Sequence, residues 1–269
     1  MVKRIGFTLV ELLVVIAIIS LLIAIIAPSL NAAKDLARSS YCQSTLNALN
    51  KSSLVYTEQN RGFMMVYRHN FVNVGGVDYI QAPPQPSKST VAFESSGGID
   101  PATGLFAIAD NYGLVYVGGI LNKPEMFYCP ATPDNSDAKR HKLSSYAKPW
   151  GSTLPEGGGT QWVRCGYMWN PWVSVLEGSS SSDNKCTFED ALMLDRHPAD
   201  RFLTSDLLWS QNVSGHVEGN KAHWNLSYPD GHVLTFENKK LWSRYLSGMD
   251  TGTEWKDWNN ITRPALEAY

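Results

Sequence analysis

The chain has 269 residues, which is long enough for one sizeable domain with an appendage or for two small domains, and we expect one globular domain. Its 23 Lys and Arg nearly balance its 25 Asp and Glu, so it lacks the excess positive charge that nucleic-acid binding requires, and nucleic acid is not an expected partner. Composition changes along the chain: aliphatic residues dominate its first part, whereas all nine Trp lie at or beyond Trp150.

The amino terminus carries the strongest signal. Residues 7–27 form an apolar stretch of 21 residues in which Glu11 is the only charge, and a helix of this length crosses about 30 Å of hydrocarbon. Lys3 and Arg4 precede it, and positive residues beside such a segment stay on the cytoplasmic side, so the rest of the chain is expected to be exported. A secretory signal peptide has a shorter apolar run and a cleavage site of small residues, and neither fits this segment.

The apolar stretch is predicted to continue as one long helix from residue 7 to residue 60. In residues 29–56, apolar side chains recur three and four positions apart, as they do on one face of a helix. Such a helix, at about 1.5 Å per residue, extends about 75 Å from a membrane to the exported domain. Pro28 lies inside this pattern, and because proline removes a backbone donor and clashes with the preceding turn, we expect a kink near Ala24.

A short motif follows the basic leader of residues 1–6, with the sequence Gly6-Phe7-Thr8-Leu9-Val10-Glu11. It resembles the amino-terminal motif of type IV prepilins and type II secretion pseudopilins. The resemblance implies that a prepilin peptidase cleaves between Gly6 and Phe7 and that Phe7 is then N-methylated. It also implies that Glu11 is the glutamate buried on assembly and that Pro28 is the proline that bends the helix. The expected partners are the peptidase, other pilin subunits and the inner membrane.

Glu11 has a physical reason to take part in assembly. A carboxylate within a membrane-inserted helix costs about 2.5 to 3.5 kcal/mol, so it requires a partner or a function. The terminal amine on Phe7 of a neighbouring subunit supplies a partner, and this buried pair would fix the axial register between subunits. The alternative is that Glu11 merely sits at the level of the lipid headgroups.

The exported part, residues 61–269, has the pattern of short strands separated by turns. Pro229-Asp230-Gly231 between two alternating runs predicts a hairpin, because Pro presets its own dihedral and Gly accepts a positive one. We expect an α+β fold in which an antiparallel sheet packs on the exported half of the long helix. The predicted strands are 114–117, 126–129, 163–169, 202–206, 222–228 and 232–237.

This hairpin also resembles a carboxyl-terminal element of a large subgroup of prepilin-like proteins. In that element a histidine precedes Asp-Gly at a fixed spacing, which neither His216 nor His223 reproduces here.

Four cysteines, Cys42, Cys129, Cys165 and Cys186, have no C-x-x-C spacing, which disfavours a tetrathiolate zinc site. In an exported domain they can form disulfides, and sequence leaves three connectivities open. We favour Cys129 with Cys165 because both lie beside predicted strands. Buried free thiols are the alternative.

Other candidate sites are weaker, and we expect neither a metal, a cofactor nor enzymatic activity. His223, Asp230 and His232, with Asp206 or Asp195, have the side-chain types of a zinc site, but the two histidines flank a turn, where polar side chains ordinarily face water. The serine run 179–182 has no G-x-S-x-G context and reads as a loop.

Tryptophans raise a second hypothesis about function, since exposed aromatic rings dock sugars and proteins. The candidates are Trp150, Trp162, Trp169, Trp172, Trp255 and Trp258. The first hypothesis remains a filament subunit, anchored by one inner-membrane span and exposed to the periplasm or cell surface after assembly. The second is an exported adhesion or carbohydrate-binding domain that uses the same anchor and never polymerises.

Overall fold

The computed structural model describes residues 8–65, 71–74, 77–80, 90–136, 138–146, 149–154, 161–169, 193–196, 199, 202–207, 214–218 and 221–237. The predicted processing residues Gly6 and Phe7 lie outside these ranges, as do Cys186 and the serine run 179–182.

The predicted long helix is present as α1, Leu9–Gln59, and its 51 residues correspond to a length of about 76 Å. Thr8 caps its amino end, since its side chain accepts a hydrogen bond from the backbone of Glu11. At the other end, Arg61 and Gly62 adopt positive φ angles of 58° and 89°, a backbone conformation that ends a helix.

The strands form three antiparallel sheets in the described part of the chain. One pairs β1 with β2, and a three-stranded sheet has the order β4-β3-β5. In the largest sheet the order is β10-β9-β7-β6, with β8 paired to β9. Their bounds are β1 Phe71–Val74, β2 Val77–Ile80, β3 Val91–Ile99, β4 Phe106–Ala109, β5 Trp162–Arg164, β6 Tyr167–Trp169, β7 Thr204–Asp206, β8 Val217–Glu218, β9 Lys221–Ser227 and β10 Val233–Glu237.

The long helix packs against β7, β9 and β10 of the largest sheet, so the α+β prediction is confirmed. The predicted hairpin is also present: β9 pairs with β10 in antiparallel register, with Trp224 opposite Phe236. Gly231 in its turn has a φ of +90°, which favours glycine. The predicted strands 202–206, 222–228 and 232–237 correspond to β7, β9 and β10.

Two predicted strands are wrong. Residues 114–117 belong to a short helix, α2, Tyr112–Val117, and residues 126–129 overlap a 3-10 turn, Pro124–Phe127. The predicted strand 163–169 is two strands, β5 and β6, which join different sheets. Further 3-10 turns span Ala138–His141, Leu143–Ser145 and Leu194–Arg196.

Gly113 explains why α2 packs so closely on β3. A Cβ at that position would lie 1.9 Å from the carbonyl oxygen of Ala92, so only glycine fits. Beside this contact, Trp150 stacks on Phe127 with ring centroids 4.7 Å apart and donates a hydrogen bond to the Tyr128 hydroxyl at 2.7 Å. The core therefore joins α2, the 3-10 turns and the sheets beside the exported half of α1.

Candidate functional site on the amino-terminal helix

The first half of α1 has no packing partner within the described chain. Every residue from 8 to 34 is exposed, including Leu9 at 80% and Ile25 at 65%. Apolar side chains surround the helix on all sides, and it is long and apolar enough to cross a membrane. A surface of this composition in contact with water is costly, so this half of the helix requires lipid or other apolar helices around it.

Glu11 lies one turn into the helix and forms a capping box with Thr8. Its Oε2 atom accepts hydrogen bonds from the backbone N–H and the hydroxyl of Thr8, both at 2.8 Å, while its own N–H donates to the Thr8 hydroxyl at 3.3 Å. Within the described residues, its Oε1 atom accepts no hydrogen bond. The carboxylate therefore has a local role and a free oxygen.

Pro28 lies inside one uninterrupted helix. Near it, the Ser29 hydroxyl donates to the carbonyl of Ile26 at 2.8 Å, a side-chain bond back to the preceding turn of the helix. The kink expected near Ala24 stays a prediction.

The second half of α1 differs because one stripe of it is buried. The buried side chains recur three and four positions apart, at Ser39, Cys42, Leu46, Leu49, Ser53 and Thr57 among others. Small hydroxyls in this stripe satisfy themselves on the helix: Ser53 donates to the Leu49 carbonyl at 2.7 Å and Thr57 to the Ser53 carbonyl at 2.8 Å. These hydroxyls make their hydrogen bonds within the helix, so they can be buried against the domain without a partner from it.

Three amide side chains on α1 hold the β9–β10 hairpin. Asn50 is buried and donates to the Ser227 hydroxyl at 3.0 Å and to the Tyr228 carbonyl. Asn47 donates to the Gly231 carbonyl at 2.6 Å. The Gln43 side chain donates to the Thr235 hydroxyl at 2.6 Å. The hairpin is therefore fixed along two turns of the helix.

The predicted pairing of Cys129 with Cys165 is not formed in the structure. All three described cysteines are free thiols, and the Sγ atom of Cys129 lies 2.9 Å from that of Cys42 instead. The hydrogen bond with Cys129 lowers the pKa of the Cys42 thiol, whereas burial raises the pKa of Cys129. Burial also raises the pKa of the Cys165 thiol, which is fully buried away from this pair. Whether disulfides form in the mature protein stays a prediction.

The hairpin does not bring together the residues that the sequence offered as a metal site, His223, Asp230 and His232. His232 Nδ1 lies 2.5 Å from Asp230 Oδ1 in an exposed pair at the turn, whereas the His223 ring stacks on His216 with centroids 4.9 Å apart. Asp206 is buried on β7, and Asp195 is exposed.

The described tryptophans give the adhesion hypothesis little support. Trp150 and Trp169 are 1% exposed and Trp224 is fully buried, so their rings build the core. Trp162 is partly buried and stacks against the guanidinium of Arg164 at 5.1 Å. The other candidates, Trp172, Trp255 and Trp258, lie outside the described residues.

Comparison with known proteins agrees with this reading of the amino terminus. The family model for the prokaryotic N-terminal methylation motif matches residues 1–27. No curated protein and no solved structure matches the chain. The matched segment contains Gly6, Phe7 and Glu11 and covers the start of the exposed half of α1. The chain therefore carries the prepilin-type methylation signature ahead of a membrane-capable helix, which indicates a type IV pilin-like or pseudopilin-like substrate of a prepilin peptidase.

Proposed function

We propose that this chain is a structural subunit of a type IV pilus-like filament or a type II secretion pseudopilus. Cleavage between Gly6 and Phe7 removes the basic leader, and Phe7 becomes the N-methylated terminus. One observation carries the proposal: residues 8–34, which overlap the methylation motif, form an apolar helix exposed on all sides. Such a helix is stable in lipid before assembly and among the same helices of other subunits after it.

Before assembly, α1 anchors the chain in the inner membrane with its amino end in the cytoplasm and the domain of residues 61–269 exported. After assembly, the helices form the filament core and the domains cover its surface, in the periplasm or outside the cell. In this proposed role, the subunit does no chemistry of its own.

Glu11 sets the register between subunits. Its Oε1 atom, which accepts no hydrogen bond among the described residues, is available to the ammonium on Phe7 of an adjacent subunit, while Oε2 keeps the capping box with Thr8. An ammonium left unpaired in an apolar filament core costs on the order of 3 to 5 kcal/mol per subunit. This penalty is repeated at each subunit, so loss of the carboxylate prevents assembly.

The experiment compares Glu11→Ala with Glu58→Ala in cells that carry the cognate assembly machinery. Glu58 is an exposed acid near the other end of the same helix, so it is a matched control for loss of one charge. We expect both variants to insert and export their domains, and only Glu11→Ala to be absent from sheared filaments. Intact-mass analysis of the membrane-bound wild type should give a chain that begins at N-methylated Phe7.

Three results would overturn the proposal. Retention of residue 1, or cleavage after residue 27, would return the chain to ordinary secretion or anchoring. Incorporation of Glu11→Ala at wild-type efficiency would remove the pairing mechanism. A correctly processed wild-type chain that never enters a filament would favour the tethered binding domain.

A further inference from the structure

Four side chains of metal-ligand type meet where the long helix contacts the domain. Cys42 lies on α1, Cys129 follows the 3-10 turn at Pro124–Phe127, Asp206 ends β7, and His216 directly precedes β8. One ligand atom from each lies within 4.8 Å of the others, and all four residues are buried. We call these four residues the helix–sheet cluster.

Two distances within the cluster are close to those around a tetrahedral ion, and the others lie within 4.8 Å. The Cys129 Sγ atom lies 3.5 Å from His216 Nε2, which lies 3.6 Å from Asp206 Oδ2. Ligand bonds of about 2.0 to 2.3 Å at tetrahedral angles place neighbouring ligand atoms about 3.3 to 3.8 Å apart. The two sulfurs, at 2.9 Å, are farther apart than the roughly 2.05 Å of a disulfide bond and closer than two zinc ligands. Each thiol needs to move by a fraction of an ångström to bind an ion between them.

Asp206 supplies an independent observation that points to a cation. This carboxylate is 2% exposed, and within the described residues its Oδ1 atom has no hydrogen-bond partner. The backbone and side-chain N–H groups of Asn225 both donate to Oδ2 at 2.8 Å. The cost of burying such a carboxylate falls when a proton or a cation occupies the open oxygen.

The ligand types select the kind of ion. Two thiolates, one imidazole and one carboxylate suit a borderline cation in a closed tetrahedral site, and calcium or magnesium would require oxygen ligands instead. We propose that Cys42, Cys129, Asp206 and His216 bind one zinc ion that fastens the long helix to the sheet. The proposal does not depend on filament assembly, since all four ligands belong to one chain and lie where α1 packs on the sheet.

Neighbouring groups fit such a site. Asn225 orients Asp206, and the His223 ring stacks on His216, which restricts the imidazole to one plane. Cys129 also lines an open groove with Lys34, Arg38 and Lys142, so the site lies next to solvent. With two thiolates and a carboxylate the bound site keeps a net negative charge, and two of the groove cations, Arg38 and Lys142, pair with Asp35 and Asp134.

The position of the site gives it a structural role. Cys42 and Cys129 are 87 positions apart in sequence, and so are Cys129 and His216. One ion therefore closes two long loops and joins α1 to the domain, and because zinc binds the folded arrangement, its binding free energy adds to folding stability. An empty site would leave the domain less firmly held on the assembly helix.

The test uses the full-length chain in detergent, kept reduced and loaded with zinc alone. We expect one zinc per chain by elemental analysis, and cobalt substituted for zinc should give thiolate-to-metal charge-transfer absorption. Cys42→Ala and His216→Ala should each lose at least tenfold in zinc affinity. Cys165→Ala is the matched control, because Cys165 is equally buried but outside the cluster, and it should keep one zinc.

Measurements on the wild-type protein test the proposal even if a variant fails to fold. Addition of a strong chelator should lower its melting temperature, and zinc should restore it. Alkylation of unfolded, unreduced protein isolated from its native compartment should label both Cys42 and Cys129. A wild-type chain that folds but binds no zinc, or a disulfide between Cys42 and Cys129 in the native protein, would overturn the proposal.

Discussion

The two halves of α1 share one backbone conformation and almost nothing else. Residues 8–34 are exposed without exception, with large aliphatic side chains on every face of the helix. From Ser39 to Thr57, one stripe is buried against the domain, and more of its members are Ser, Thr and Asn than Leu. The difference lies mainly in side-chain size and polarity, because both halves are α-helical and only Pro28 interrupts the backbone hydrogen bonds.

This difference shows how one helix can serve two environments. In the membrane half, large side chains have no partner within the described chain, so their packing free energy is available to lipid and to other subunits. In the domain half, small hydroxyl side chains donate their hydrogen bonds to carbonyls of the helix, so they are buried without needing a partner from the sheet. Substitutions in the two halves should therefore affect different measurements.

The largest contrast is expected between Leu46→Ala and Leu22→Ala. Leu46 is fully buried in the core, so its truncation should destabilise the domain by about 2 to 5 kcal/mol. Leu22 is 52% exposed in the membrane half, and its truncation should leave domain stability unchanged. Because all nine Trp lie at or beyond Trp150, denaturant unfolding followed by Trp fluorescence in detergent reports on the domain alone.

Filament assembly should be lowered more by Leu22→Ala than by Leu46→Ala. Leu22→Ala removes contact area from the helix surface proposed to form the filament core, whereas Leu46 lies against its own domain. If Leu22→Ala lowered domain stability as much as Leu46→Ala, the two halves would not be energetically separate.

Acid should destabilise the domain, because of His141, and leave the membrane half of α1 helical. This residue is fully buried, with its Nδ1 atom 2.6 Å from the carbonyl oxygen of Cys165, and burial lowers its pKa to about 3. An unfolded histidine has a pKa of about 6.5, so the unfolded state binds more protons and stability falls as pH drops from about 6.5 towards 3. Between pH 7 and pH 5 we expect a loss of about 2 kcal/mol from this group.

The control is His141→Asn, which keeps a donor for the Cys165 carbonyl and does not titrate. In the metal-free protein, burial also raises the pKa of Asp206 to about 7, which gives a slope of opposite sign, but this contribution is the same in both proteins. Unfolding midpoints of the two proteins at pH 7 and pH 5 isolate the histidine. Equal pH dependence would assign the acid sensitivity to another group, and helicity of the membrane half should persist in both.

Local signals explain what sequence predicted. The long helix follows from an uninterrupted apolar run and the spacing after it. The hairpin follows from Pro229-Asp230-Gly231, whose residue types favour a turn by themselves. The two wrong strands have different reasons, the first nonlocal and the second local. Leu114 to Val117 is a continuous run of strand-favouring residues, but Gly113 lets this segment fold as a helix directly on the backbone of Ala92. Pro124 starts the 3-10 turn that replaces the second one.

The helix–sheet cluster could not be predicted from the sequence, because it depends on nonlocal packing. Its members are separated by long intervals, and no C-x-x-C or paired-histidine spacing connects them. The sequence predicts Cys165 as the partner of Cys129, because both lie beside predicted strands. The strand at 126–129 is absent, and Cys129 contacts Cys42 on α1 instead. Only the packing of the helix on β7 places Cys42 near Asp206.

The smallest expected effects compare two hydrogen bonds from α1 to the hairpin. Asn50 is fully buried, so Asn50→Ala leaves the Tyr228 carbonyl without this donor and should cost about 1 to 3 kcal/mol. Gln43 makes its bond to Thr235 at the surface, where water replaces the lost partner, so Gln43→Ala should cost about 0.5 kcal/mol or less. Denaturant midpoints of the two variants and wild type measure the difference. Equal costs would mean that the hairpin is held by apolar packing, and that burial of the amide adds nothing to the contact between helix and sheet.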